Sequence, residues 1–186
     1  MNESRRQATL LRAATRADVA ALADIHVRAW QRTYRGMMPD EFLDALAPEQ
    51  RYARWEHDVL APDAEMTVLV AADEATGRLV GFCSVCPQKH REPGDESLPP
   101  AGEIYTMYVD VEDKGRGTGR RLLSAGEDRI RAMGFARGVL WMLADNAPAR
   151  GFYERIGWRV DGVATGIQYG DRLVPEIRLA KMLEEA

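Results

Sequence analysis

Lys114-Gly115-Arg116-Gly117-Thr118-Gly119-Arg120 places three alternating glycines between a strand-like run, residues 102–109, and a helix-like one. In that helix Leu122, Leu123, Gly126, Ile130 and Met133 fall along one side, and Gly134 ends it. Glycine lets backbone approach a ligand closely and take left-handed angles. The first turn of the following helix offers unpaired N–H groups at the positive end of its dipole. Together these form a cradle for linked phosphates, and Lys114, Arg116 and Arg120 add local positive charge. The alternative is a plain flexible turn. Two other phosphate motifs do not fit. A P-loop needs Gly-Lys followed by Ser or Thr at the helix start, and a dinucleotide fingerprint needs its third glycine where Arg120 stands.

Outward from this stretch the pattern predicts an α/β fold. Residues 9–13 read as a first strand, and Thr15 with Asp18 makes a capping-box-like helix start. The helix carries Val19, Leu22, Ala23, His26, Ala29 and Trp30 on one stripe, with His26 and Trp30 at its end. Residues 40–46 form a short helix, and Pro48 opens another with Tyr52, Trp55 and Val59 in helical register. Residues 65–72 and 78–86 suit a hairpin. Residues 87–101, with four prolines and no periodicity, suit an exposed loop. A buried strand at 138–143 and a helix over 147–156, stopped by Gly157, follow. Two strands, 157–165 and 172–180, then flank a turn at Tyr169-Gly170-Asp171. The expectation is one domain with a mixed sheet flanked by helices, and residues 1–8 as a mobile tail.

Length and composition bound the function. The chain has 186 residues, 46% of them apolar, which is room for one well-packed domain. Twenty-five basic against 29 acidic residues leave a net charge of −4, so general attraction to nucleic acid or anionic lipid is not expected and any anion must be held locally. The longest apolar runs, 68–72 and 139–144, fall far short of the roughly eighteen residues of a membrane span. Arg12 interrupts what would be the apolar segment of a signal peptide, so a cytoplasmic protein is expected. Cys83 and Cys86 lack a second pair or nearby histidines for zinc. Three residues apart on a strand, they point to opposite faces and read as small core residues; no metal is expected.

A second informative segment runs Asn146-Ala147-Pro148-Ala149-Arg150-Gly151-Phe152-Tyr153-Glu154-Arg155-Ile156-Gly157-Trp158. With it, the chain resembles the GNAT superfamily, the acyl-CoA-dependent N-acetyltransferases. Their pyrophosphate motif, Gln/Arg-x-x-Gly-x-Gly/Ala, is met by residues 114–119 with Lys114 where Gln or Arg is usual. Their later motif, Asn-x-x-Ala-x-x-Phe-Tyr-x-x-x-Gly-Phe, is met by residues 146–158 with Trp158 for the final Phe.

The resemblance implies a mixed, mostly antiparallel sheet of about six or seven strands, splayed in the middle. It further implies acetyl-CoA as cosubstrate, its pyrophosphate on the amides of Gly115, Arg116, Gly117, Thr118, Gly119 and Arg120, and its pantetheine between strands 103–109 and 138–143, held by backbone near Met107 and Val109. An acceptor amine, with a reference pKa of about 10.4 for a lysine-like group, must lose a proton before it attacks. Glu103 is the candidate base, the alternative being a solvated strand-end carboxylate. The N–H of Val109 would hold the developing oxyanion. Tyr153 would protonate the leaving thiolate, or else pack as an aromatic partner of Phe152. Asn146 would contact pantetheine or simply cap the next helix. His26, Trp30 and Tyr34 would form the acceptor wall, although aromatics at helical spacing also build cores. The loop at 87–101 would cover that wall, and its acidic Glu92, Asp95 and Glu96 would favour a cationic acceptor or simply be solvated. The acceptor is a small-molecule or peptide amine, and a homodimer is common in the superfamily. A non-catalytic acyl-CoA-binding or sensing protein on the same fold is the rival reading.

Overall fold

The computed structural model describes residues 9–61 and 65–183; the tail expected at residues 1–8 lies outside them. In chain order the elements are β1 (Thr9–Ala13), α1 (Val19–Thr33), α2 (Asp40–Asp44), α3 (Glu49–Leu60), β2 (Thr67–Asp73), β3 (Leu79–Pro87), β4 (Ala101–Val109), α4 (Thr118–Ala132), β5 (Arg137–Leu143), α5 (Ala147–Arg155), β6 (Arg159–Tyr169) and β7 (Arg172–Met182). The strands make one seven-stranded sheet in the order β1-β2-β3-β4-β5-β7-β6. Every neighbouring pair is antiparallel except β4 with β5. The helix α4 joins those two as a crossover, which a parallel pair requires. Among the described residues no helix is long and apolar enough to cross a membrane.

Strand alternation sends apolar side chains to both faces, so each face needs a cover. On one face Cys83, Val85, Ile104, Leu140 and Leu179 meet Leu122, Leu123 and Ile130 of α4. On the other, Val68, Val70, Phe82 and Cys86 meet Leu22 and Ile25 of α1 and Trp55 of α3. The two cysteines therefore sit in different cores, both buried and free. Complete burial of Phe82 alone contributes about 2–3 kcal/mol. The close seat of α4 depends on Gly126, where a Cβ would lie 2.7 Å from Ile104 Cδ1. Glycine in a helix costs about 1 kcal/mol there, and the packing it permits offsets that.

Three expectations are corrected. α1 runs past Trp30 to Thr33, because Gln31 donates to the carbonyls of Leu43 and Leu46 at 3.1 and 3.3 Å and so ties the polar last turn to α2 and the residues after it. β6 and β7 are longer than their apolar cores, reaching Tyr169 and Met182. The segment at 87–101 is not simply exposed. Its own Asp95 turns inward, 1% exposed, and is bound by both terminal nitrogens of Arg178 at 2.7 and 2.8 Å. Arg178 also donates to Asp161 at 2.8 Å, so the loop is fastened to β7 and β6. This removes Asp95 from any role as a charge for the acceptor.

Candidate active site

The parallel pairing of β4 with β5 lasts four residues, from Ala101 opposite Arg137 to Ile104 opposite Leu140. Beyond it the strands part. The register against β3 explains why: Ser84 faces Thr106 and Val85 faces Ile104, leaving Tyr105 as an extra residue in β4. Such a bulge bends its strand and increases its twist. Past the bulge, the N–H of Asp110 donates to the Val80 carbonyl at 2.8 Å. Alternation along the strand then turns the backbone groups of Val109 and Met107 away from β3 and toward the gap.

The gap is a cavity of about 780 Å³, walled by Ile104, Met107 and Val109 on one side and Leu140 and Met142 on the other. Its mouth is the glycine loop. Gly115 and Gly117 have φ of 80° and 88°, left-handed values that a side chain would resist. Gly117 is the N-cap of α4 and has no side chain to cap with, so the amides of Thr118, Gly119 and Arg120 find no acceptor within the helix. A Cβ on Gly115 or Gly117 would meet nothing within 4 Å, so the loop borders open space. A diphosphate fits this arrangement by charge and by donor geometry. Lys114, Gly115, Gly117, Thr118, Gly119 and Arg120 all line the cavity. Arg116 does not; its guanidinium turns to Asp113 at 3.2 Å. Arg78 bonds the same buried carboxylate at 2.6 Å and Asp110 at 3.2 Å, which pins the loop to the start of β3.

At the inner end stands Tyr153, 9% exposed, on α5. Burial raises its phenol pKa well above the ordinary tyrosine value, so it is a protonated donor at neutral pH. Asn146 lines the cavity while its side chain accepts from the Ala149 amide at 3.2 Å, so it caps α5 as well. On the α1 side, Tyr34 and Tyr108 line the cavity with their hydroxyls 3.1 Å apart, and Trp30 Nε1 donates to Tyr108 at 2.8 Å.

Of the three aromatic residues expected in the acceptor wall, Tyr34 alone lines the cavity. Trp30 stands behind Tyr108. His26 is buried among Trp30, Trp55, Phe82 and Tyr108, with ring centroids 5.3–6.2 Å away. Neither of its nitrogens has a hydrogen-bond partner. Burial, then Arg51 and Arg54, holds its pKa down to about 3, so it stays neutral.

Glu103 does not line the cavity either, since it lies in the paired part of β4, opposite Val139. It is buried and accepts from the Lys89 amide at 3.1 Å; burial raises its pKa above the ordinary glutamate value despite that bond. Glu176 of β7, which the sequence reading passed over, is a second carboxylate nearby: burial and then the charge of Glu103 raise its pKa. Its signal was the one acid of the strand, set between the apolar Val174, Pro175 and Ile177. Tyr108 was also passed over, although alternation between Met107 and Val109 turns it to the α1 face.

The chain matches the Acetyltransferase (GNAT) family over residues 20–158. It is 30% identical over 137 residues to an uncharacterized N-acetyltransferase, YuaI, of Bacillus subtilis, a match covering 74% of this chain and 72% of that one. A mycothiol acetyltransferase of Saccharomonospora viridis is 36% identical over 100 residues, covering 53% of this chain and 31% of that protein, so the chain spans about a third of that relative's length. Among solved structures, a ribosomal-protein-alanine N-acetyltransferase from Brucella melitensis superposes with a TM-score of 0.70 at 26% identity, covering 94% of this chain and 99% of that one. A strand pair parted beside an uncapped glycine loop, and the two family motifs on either side of it, agree with these likenesses: the chain belongs to the GNAT family of acyl-CoA-dependent N-acetyltransferases.

Proposed function

We propose that the chain moves an acetyl group from acetyl-CoA to a primary amine of a small molecule or peptide by direct attack. The observation that carries this reading is the continuity of one cavity from the uncapped amides at Gly117 to the phenol of Tyr153, through the gap where β4 and β5 part. Bound acetyl-CoA supplies a thioester as the electrophile. Thr118, Gly119 and Arg120 hold its diphosphate, and the backbone of Met107 and Val109 aligns its pantetheine along the open edge of β4. The Val109 N–H, facing the gap, stabilises negative charge on the carbonyl oxygen as the amine attacks. Tyr153 gives its proton to the departing sulfur. The amine's proton passes through water to Glu103, which shares a strand face with Tyr105 of the cavity wall.

Direct attack is favoured over a covalent enzyme intermediate by the state of the cysteines. Burial pushes both thiols up to about 12, and neither lines the cavity. On the acceptor side, Tyr34, Met37, Tyr108 and Trp141 form an aromatic and thioether surface that suits the body of an organic amine. The test is acetyl-CoA-dependent thiol release with a panel of arylamines, amino sugars and peptides. Release well above hydrolysis with at least one acceptor supports the reading. Tight acetyl-CoA binding with no acceptor-dependent release across the panel overturns it in favour of a binding protein.

A further inference from the structure

Along β7, alternation sends Val174, Glu176 and Arg178 to the sheet face that carries α1. The outer two are covered: Val174 packs with Met38 and Leu43, and Arg178 lies under the proline-rich loop, bound to Asp95. Glu176, between them, is half-buried, and among the described residues its carboxylate has neither a hydrogen-bond partner nor an ion pair. It therefore stands at a break between the two covers. Its diagonal neighbour on β5, Trp141, belongs to the wall of the main cavity, as do Tyr34 and Met37 from the α1 side. The break thus adjoins the aromatic end of the cavity, where the acceptor binds in the reading above.

Charge decides what fills it. Arg178 is held by Asp95 and Asp161, while Arg54 and Lys89 lie over the ring of Tyr105, 5.2 and 5.0 Å from its centroid, on the far side of the gap. Among the described residues the charge that acts on Glu176 is that of Glu103, of its own sign. The phenols of Tyr34 and Tyr169 feel the charge of Glu176 in turn, which places it beside the aromatic wall. A carboxylate without a partner, next to a second carboxylate and to aromatic rings, favours a cation: the cation gains a charge-assisted hydrogen bond, and the ring faces attract it. That cation is not the attacking nitrogen, which must reach the thioester in the gap between β4 and β5, whereas β5 stands between the gap and β7. With strands about 4.8 Å apart, a group on Glu176 lies roughly 5–10 Å from the reacting centre, the span of an α,ω-diamine of propane to heptane length. We infer that Glu176 binds a second ammonium of the acceptor, so that the site selects diamines over amines that carry one positive charge. This rests on the acetyl-transfer reading above and names the class of acceptor within it.

The experiment measures acetyl-CoA-dependent thiol release with α,ω-diamines from propane to heptane length, and with the amino alcohols and ω-amino acids of the same lengths, on the full chain and on Glu176→Gln and Glu176→Asp. The expected result is a kcat/KM about tenfold or more higher for at least one diamine than for the amino alcohol of its length, with the amino acid lower still. Glu176→Gln should raise the KM for that diamine about tenfold while kcat holds, and Glu176→Asp should keep part of the preference. The carboxylate has no bond to lose among the described residues, so Glu176→Gln should not lower the melting temperature of the free protein. Equal kcat/KM for diamines and amino alcohols would overturn the inference alone, as would a Glu176→Gln variant that slows both alike, or no release with any diamine where arylamines, amino sugars or peptides are turned over. No release with any acceptor would overturn the acetyl-transfer reading, and this inference with it.

Discussion

Arg178 grips Asp95 through both terminal nitrogens, at 2.7 and 2.8 Å, with both side chains 1% exposed. This pair fastens the proline-rich segment before β4 to the strand beyond β5, and so braces the paired end of the two strands that part to form the site. A buried pair is most costly when one partner is removed, and without Asp95 the buried Arg178 would keep only its Nε contact to Asp161, leaving both terminal nitrogens without their carboxylate. Asp95→Ala should therefore lower unfolding stability by roughly 3–5 kcal/mol in urea titrations. A loss below about 1 kcal/mol would mean the loop is held by other contacts. Arg178 also holds the Asp95 carboxyl well below the usual carboxylate range. Its contribution is present above the unfolded value of about 3.9 and fades as pH falls below it.

His26 gives a separate acid sensitivity in a higher window. Its folded pKa of about 3 lies below the unfolded value of about 6.5, so the unfolded chain binds the extra proton between them. Stability should fall as pH drops below about 6.5, by at most about 1.4 kcal/mol per unit. His26→Phe should flatten that slope from pH 6 to 4.5 while the Asp95 effect below it persists. An unchanged slope in chemical denaturation would show that His26 is protonated in the folded protein.

In the proposed mechanism Tyr153 acts by donating a proton to the departing sulfur. Tyr153→Phe should lower kcat by about a hundredfold or more and leave the acetyl-CoA dissociation constant within a factor of about two. Equal turnover would assign the proton to another group.

Glu103 must be ionised to accept a proton, and burial raises its pKa. The rate should fall on acidification, with its limb above the pH at which an ordinary glutamate titrates. Glu103→Gln should abolish that limb and lower kcat by about a hundredfold, whereas Glu176→Gln should keep it. If the limb survives in Glu103→Gln and vanishes in Glu176→Gln, the base is Glu176.

How much of this was legible in the chain depended on whether local chemistry or tertiary contact decided the outcome. The alternating glycines up to Gly119 required a left-handed loop whatever surrounded them, and the loop has φ of 80° and 88° at Gly115 and Gly117. The strands and helices followed from periodicity, and the cysteines fell on opposite faces by alternation alone. What periodicity could not carry was direction within a packed layer. His26 and Trp30 share the helical stripe that the sequence displays, but the stripe faces the sheet, and Tyr34, one turn on, faces the cavity. Arg116 offered the same charge as Arg120 and turned instead to Asp113, three residues back. Asp95 looked like one of several loop acids until Arg178, 83 residues away, reached it. Such choices belong to contacts between distant segments.

A crystal structure of the protein with acetyl-CoA tests the central claim most directly. The account predicts the diphosphate on the amides of residues 117–120, the pantetheine along the free edge of β4 beside Met107 and Val109, and the sulfur within hydrogen-bonding reach of the Tyr153 hydroxyl. A coenzyme bound elsewhere, with β4 and β5 closed together beyond Ile104 and Leu140, would contradict it.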